Sequence, residues 1–204
     1  TGSGLRIGSS EVSPDTHTVL LMHLNNNTTD YSGYGNHGTR YGGVDWTSTD
    51  TWKTIGGTEN ILYFDGQNDY VQIPTSSSLE SFTNQISVGL WAYPTATDDV
   101  RICIVQSPWS GYWMDIEFGG DWHAGTRAAN LNGGAAQANA WSHLMLTYNG
   151  SIVKLYVNGV EKDSAAESGN ITVGADVYIG CQGGTQRYFK GKIDEVRILN
   201  RVLS

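Results

Sequence analysis

The stretch WSHLMLTYNGSIVKLYVNGVE, residues 141–161, reads as two β-strands and the turns that reverse them. Side chains of a strand alternate between its faces, so Leu144 and Leu146 point one way while Trp141, His143 and Met145 point the other. Asn149-Gly150 and Asn158-Gly159 put residues tolerant of positive φ where two-residue hairpin turns need them. His143 is then a packed strand residue rather than a catalytic base, because no nucleophile or paired acid accompanies it.

On either side of this stretch, short apolar or alternating runs recur between turn signals at 19–24, 61–64, 70–73, 86–93, 102–106, 112–118, 141–148, 152–157, 177–179 and 193–199. Asp65-Gly66 supplies a further hairpin joint. Ten such runs suit two packed sheets with mostly antiparallel neighbours. No long window has a 3.6-residue apolar period; Ser76 to Phe82 is expected to form at most one helical turn. Residues 1–17 are polar and aperiodic and read as a tail, with one domain over 18–204. The chain opens Thr1-Gly2-Ser3-Gly4 without an initiator methionine and reads as a piece of a longer protein.

Composition agrees with an all-β domain. Only 16% of the 204 residues are charged, whereas Gly reaches 26, Trp 7 and Tyr 11, a balance of turn and strand formers. The formal charge of −8 repels a phosphate backbone, and the 12 Lys and Arg do not form a basic stripe, so nucleic acid is not expected as a partner. A mild basic enrichment near the end (Arg187, Lys190, Lys192, Arg197, Arg201) reads as a solvated strand face. No apolar run approaches the ~18 residues of a membrane span. Cys103 and Cys181, the two cysteines, lack a metal-binding spacing, and whether they bridge is left open. Sequons at Asn26, Asn27, Asn149 and Asn170 decide nothing.

Taken in order, LLMHLNNNTTDYSGYGNHGT, LYFDGQNDYVQIP, ISVGLWAYP, the 141–161 stretch and FKGKIDEVRILNRVLS resemble the successive blocks of laminin G-like, pentraxin-related domains of the concanavalin A-like superfamily. The resemblance spans about Val19 to Ser204. It implies a two-sheet antiparallel jelly-roll β-sandwich and a non-catalytic carbohydrate-binding or adhesion module of an extracellular, secreted or cell-surface multidomain protein. Glycan or surface protein is the expected partner, and a protein-interaction spacer without a small ligand is the alternative.

Glucanases of the same superfamily carry catalytic carboxylates on one strand, and YWMDIEF resembles that strand. Asp115 and Glu117 share one face, roughly 7 Å apart by strand geometry, but Trp113 and Met114 leave the first acid missing. Retaining hydrolysis needs two carboxyls about 5 Å apart, and this separation suits an inverting pair only marginally, so an enzyme is not expected and a glucanase-type glycoside hydrolase using Asp115 and Glu117 is the second alternative. Tyr112, Met114, Ile116 and Phe118 belong in the core by alternation, which leaves Trp113 exposed beside two acids. Saccharides bind through rings that cover a pyranose face and polar groups that fix its hydroxyls. Trp109, Tyr112, Trp113, Asp115, Glu117, Trp122, His123 and Arg127 are therefore the candidate ligand residues. Trp91 and Tyr93, with Gly89 beside them, suggest either core packing or the floor of a shallow depression.

The resemblance also implies a structural calcium where the first strand, an early loop and the last strand meet. Calcium takes hard oxygen ligands, and Asn25, Asp30 and Asp194 are the candidates if the first and last strands pair. Asp30 alternatively caps its own turn in Asp-Tyr-Ser-Gly. The pentraxin double-calcium site needs acids after Tyr-Ile-Gly, where this chain has CQGGTQR.

Overall fold

A computed structural model describes residues 12–47, 61–82, 84–106 and 111–203. Fifteen strands run in chain order: β1 (Thr18–Met22), β2 (Thr39–Tyr41), β3 (Asp45–Thr47), β4 (Ile61–Asp65), β5 (Tyr70–Ile73), β6 (Ile86–Pro94), β7 (Arg101–Gln106), β8 (Tyr112–Ile116), β9 (Asp121–Thr126), β10 (Ala129–Ala135), β11 (Ser142–Tyr148), β12 (Ile152–Val157), β13 (Val160–Ala166), β14 (Val177–Ile179) and β15 (Lys190–Leu199). They form two antiparallel sheets, as the sequence implies. One has eight strands, in the order β13-β12-β11-β6-β15-β4-β3 with β1 also on β15; the other has seven, β10-β9-β8-β7-β14-β5-β2.

The 141–161 reading holds residue by residue. β11 lies between β6 and β12, with Leu144 opposite Leu90 and Val157, and Leu146 opposite Val88 and Leu155. Asn158 and Gly159 take φ of 54° and 77°, and Gly150 takes 88°, the left-handed geometry these turns require. The inward rows of both sheets merge into one core that contains Leu62, Phe64, Val88, Leu90, Met114, Trp122, Leu144, Leu146 and Ile193. One turn spans 77–80, closed by Glu80 N–H donating to the Ser76 carbonyl at 3.0 Å.

Alternation along β8 and β9 assigns the faces. Tyr112, Met114 and Ile116 enter the core with Trp122 and Ala124. Trp113, Asp115 and His123 are left on the outer face of the seven-stranded sheet. Two cores of different size result, because Trp113 packs with Ile102 and Val105 in a small outer cluster that Tyr178 borders. Both cysteines are buried and free, so no bridge joins them. Cys103 lies in the main core, and burial holds its thiol well above the usual range. Burial likewise pushes the Cys181 thiol up to about 12.

Candidate functional site

The outer face of the seven-stranded sheet gathers a line of residues from distant parts of the chain. Directly opposed residues of paired strands share a face. One row runs from Thr39 through Gln72, Tyr178, Val105, Trp113 and Gly125 to Asn130. The adjacent row sets Asp115 between Ile102 and His123, with Asn132 beyond. At the other end Tyr41 pairs with Tyr70, their rings 4.8 Å apart and only 10° from parallel, and Tyr178 leans on Tyr70 at 6.1 Å. The face therefore has an aromatic end, an apolar middle and a polar end. Tyr41 is 42% exposed and borders a groove of ≈ 510 Å³ that Thr28, Thr39, Arg40 and Val44 also line.

At the polar end the side chains already hold one another. His123 Nδ1 lies 3.0 Å from Asn130 Oδ1, and Asn132 Nδ2 donates to Asp121 Oδ2 at 2.9 Å. Asp115 is 2% exposed, and its Oδ1 has no hydrogen-bond partner among the described residues. Burial, reinforced by the neighbouring Glu117 charge and opposed by Arg187, pushes its carboxyl up to about 8. At neutral pH Asp115 is therefore mostly a neutral acid able to donate a hydrogen bond.

Of the sequence candidates, Trp113, Asp115 and His123 do share a face, with Glu117 just past the strand end. Trp113 is not the exposed platform expected. It is 6% exposed, its indole laid over Gly125, where Cζ2 comes within 2.6 Å of the place a Cβ would occupy. Tyr112 and Trp122 are corrections: they are 0% and 1% exposed and lie in the core, because alternation turns them inward. Gly133 makes room for Trp122, whose Cβ sits 3.0 Å from the position of a Gly133 Cβ. Phe118 is a correction in the other direction. The strand ends at Ile116, so Phe118 sits 76% exposed in the β8–β9 turn. Arg127 turns away from the face, with Nη1 donating to the Asn170 carbonyl at 2.8 Å and Nε 3.4 Å from Glu167 Oε1. Trp109 lies outside the described residues.

The first and last strands do pair, Met22 opposite Val196 and Thr18 opposite Leu199, as the calcium reading requires. Asp30 does not fit a calcium shell. Its Oδ1 accepts from Leu21 N and Ser32 N at 3.0 and 2.9 Å, and its Oδ2 from Ser32 Oγ and Asn36 N at 2.7 and 2.9 Å. Both oxygens thus face hydrogen donors and organise the 30–36 loop. Among the described residues no three His, Cys, Asp or Glu side chains gather as a metal cage. Asp194 is wholly buried opposite Trp91.

Sequence reasoning missed Tyr41, Tyr70, Tyr178, Asn130 and Asn132. The three tyrosines come from β2, β5 and β14, which are not consecutive and whose pairing only the sheet order reveals; the two asparagines come from β10, a polar strand beside β9 that its own residues do not mark.

A two-sheet jelly roll with a ring-bearing outer face defines a lectin-like fold of the concanavalin A type. The chain belongs to that superfamily: the Laminin_G_3 family model, described as concanavalin A-like lectin/glucanases superfamily, matches residues 65–204. Similar solved structures include domain 4 of AbnA, a GH43 extracellular arabinanase from Geobacillus stearothermophilus, in complex with arabinotriose. Identity there is 23% and the TM-score 0.69, over 92% of this chain and 95% of that one. The binding domain of Paraclostridial Mosquitocidal Protein 1 matches at 15% identity and TM-score 0.72, over 92% and 50% of the two chains. The receptor binding domain of botulinum neurotoxin C/D mosaic serotype matches at 18% identity and TM-score 0.72, over 92% and 49%. The chain thus spans about half the length of the two toxin domains. No curated protein sequence matches it.

Proposed function

We infer that this chain is a non-catalytic carbohydrate-binding module of an extracellular protein, and that it takes a neutral saccharide on the outer face of the seven-stranded sheet. The observation that carries the reading is the near-parallel Tyr41–Tyr70 stack beside an open groove. Such rings cover the C–H face of a pyranose or furanose, while Thr39, which lines the groove, and Gln72, paired with it across β2 and β5, offer polar groups for its hydroxyls. Gln72 Nε2 already hydrogen-bonds Asp176 Oδ2, which holds both groups in place. AbnA domain 4, similar over nearly its whole length, is seen with arabinotriose, which supports an oligosaccharide ligand.

A catalytic reading has less support. Asp115 is nearly inaccessible, so although the Glu117 charge acts on it, a substrate bond cannot reach its carboxyl without the sheet opening. Titration calorimetry with arabino-, xylo- and gluco-oligosaccharides tests the reading. Tyr41→Ala is expected to weaken the best ligand at least tenfold, about 1.4 kcal/mol, with the fold intact. No binding to any of the three series, or binding that ignores Tyr41→Ala, refutes it.

A further inference from the structure

The groove beside Tyr41 has a charged side chain on its wall as well. Tyr41 and Arg40 are neighbours on β2, an edge strand of the seven-stranded sheet. Alternation sends Tyr41 to the outer face, opposite Tyr70, and Arg40 to the other flank, opposite the core residue Val71. The groove follows this edge and is lined by both. One face of the Tyr41 ring is taken by Tyr70, which leaves the other for the groove.

Arg40 is exposed, yet its head is held from two sides. The guanidinium carbon lies 5.1 Å from the centre of the Trp46 ring on β3, and Nη1 donates to the Val44 carbonyl at 3.1 Å. The turn between β2 and β3, Gly42-Gly43-Val44, brings these partners back over Arg40, and its glycines take φ of 86° and 133°, which suit only glycine. They are its partners among the described residues. A guanidinium presents several N–H groups in a fixed planar fork, and pinning the turn uses one of them.

The rest of the wall offers less. Thr28 Oγ1 donates to the Gly38 carbonyl at 2.6 Å. No carboxylate lines the groove among the described residues. Asp45 is turned to the outer face of the other sheet, opposite Tyr63. Asp69 is 4% exposed, with Oδ1 3.8 Å from the place of a Gly43 Cβ and Oδ2 accepting from Asp65 N–H at 2.8 Å. Parallel N–H groups match two oxygens held side by side, either those of a carboxylate or adjacent hydroxyls of a sugar ring. The formal charge of −8, with Asp69 behind the wall, disfavours the carboxylate.

We propose that Arg40 is the specificity-determining residue of the Tyr41 site, donating two N–H bonds to a pair of adjacent sugar hydroxyls while the sugar ring lies on Tyr41. The proposal rests on the saccharide reading above and narrows its substrate class to neutral sugars with a free vicinal hydroxyl pair.

Ligand-observed NMR titrations with methyl β-xylopyranoside, methyl β-glucopyranoside and methyl α-arabinofuranoside test it, each beside its 3-deoxy analogue, which has no adjacent ring hydroxyls. Wild type is expected to bind at least one parent glycoside about tenfold more tightly than its 3-deoxy analogue, the effect of one lost bond to a charged donor. Arg40→Lys keeps the charge and the contact with Trp46 but not the fork. It should bind both members of the pair alike, as weakly as wild type binds the 3-deoxy sugar, with the melting temperature unchanged. Tyr41→Ala should weaken both members and keep their ratio. An Arg40→Lys protein that melts lower but keeps the ratio would show a purely structural arginine and overturn the proposal, as would a methyl glucuronide that binds more tightly than the glucoside. Tyr41-dependent binding with no preference for the 3-hydroxyl removes this proposal and leaves the saccharide reading standing. No binding, or binding indifferent to Tyr41→Ala, removes both.

Discussion

Replacing Asp115 with Asn should stabilise the protein at neutral pH, by an amount that grows as the pH rises. The carboxyl titrates at about 8 when folded and near 3.8 when exposed, chiefly because of burial. Between those values the folded chain holds a proton that the unfolded chain has released, so stability falls as pH rises through this window. The contribution is fully present below pH 3.8 and gone above about 8. Each pH unit costs at most about 1.4 kcal/mol, so raising the pH from 5 to 7 costs up to about 2.7 kcal/mol, and about 1–2 once water and Arg187 respond to the new charge. For a chain of 204 residues this corresponds to about 2–8 °C in melting temperature. His143 works the other way: its folded value of about 4 lies below the ordinary 6.5, so its share of stability rises with pH between those values. The comparison must therefore be Asp115→Asn minus wild type, from urea or thermal unfolding at pH 5, 6, 7 and 8. The difference should widen from pH 5 and level off above pH 8. A difference that does not vary with pH would show that Asp115 is ionised in the folded protein, and its role as a neutral donor would fall.

Two further outcomes follow from the packing and from the 30–36 loop. A Cβ added at Gly125 would stand 2.0 Å from the Ala129 carbonyl oxygen, whereas one at Gly89 would meet the flexible end of Met145. Gly125→Ala should cost about 1–3 kcal/mol and Gly89→Ala less than about 1 kcal/mol; equal costs in denaturant titrations would contradict the packing described. Because Asp30 is saturated by hydrogen donors, the melting temperature should be the same in calcium and in chelator. A rise of several degrees with calcium would mean that Asp30 exchanges those donors for the ion.

The sequence made the apolar strands legible and the polar ones not. All ten runs became strands, since alternating Leu, Val and Ile between Asn-Gly or Asp-Gly turns leave little choice. β2, β3, β9, β10 and β13 were missed. β13 reads VEKDSAA and β10 ANLNGGA, edge strands with little to bury, whose pairing comes from a neighbour rather than from their own side chains. Missing β9 explains Trp122: without its period of two, a Trp among polar residues reads as a loop aromatic. Phe118 failed because period-two reasoning was carried two residues past the end of β8. The pairing of Tyr41 with Tyr70 spans an unrecognised strand, and the two outer faces are products of register, which composition cannot express.

β15 lies inside its sheet, bonded to β6 on one side and to both β4 and β1 on the other. Its partners come from near the start and the middle of the chain, so much of the eight-stranded sheet stays unclosed until residues 190–199 have left the ribosome. Loop closures of this length make folding slow and late. During that wait β4, β6 and β1 present bare edges, and Trp91 and Tyr93 lie on one of them. Truncation within the last strand should therefore yield an aggregating chain rather than a smaller folded domain.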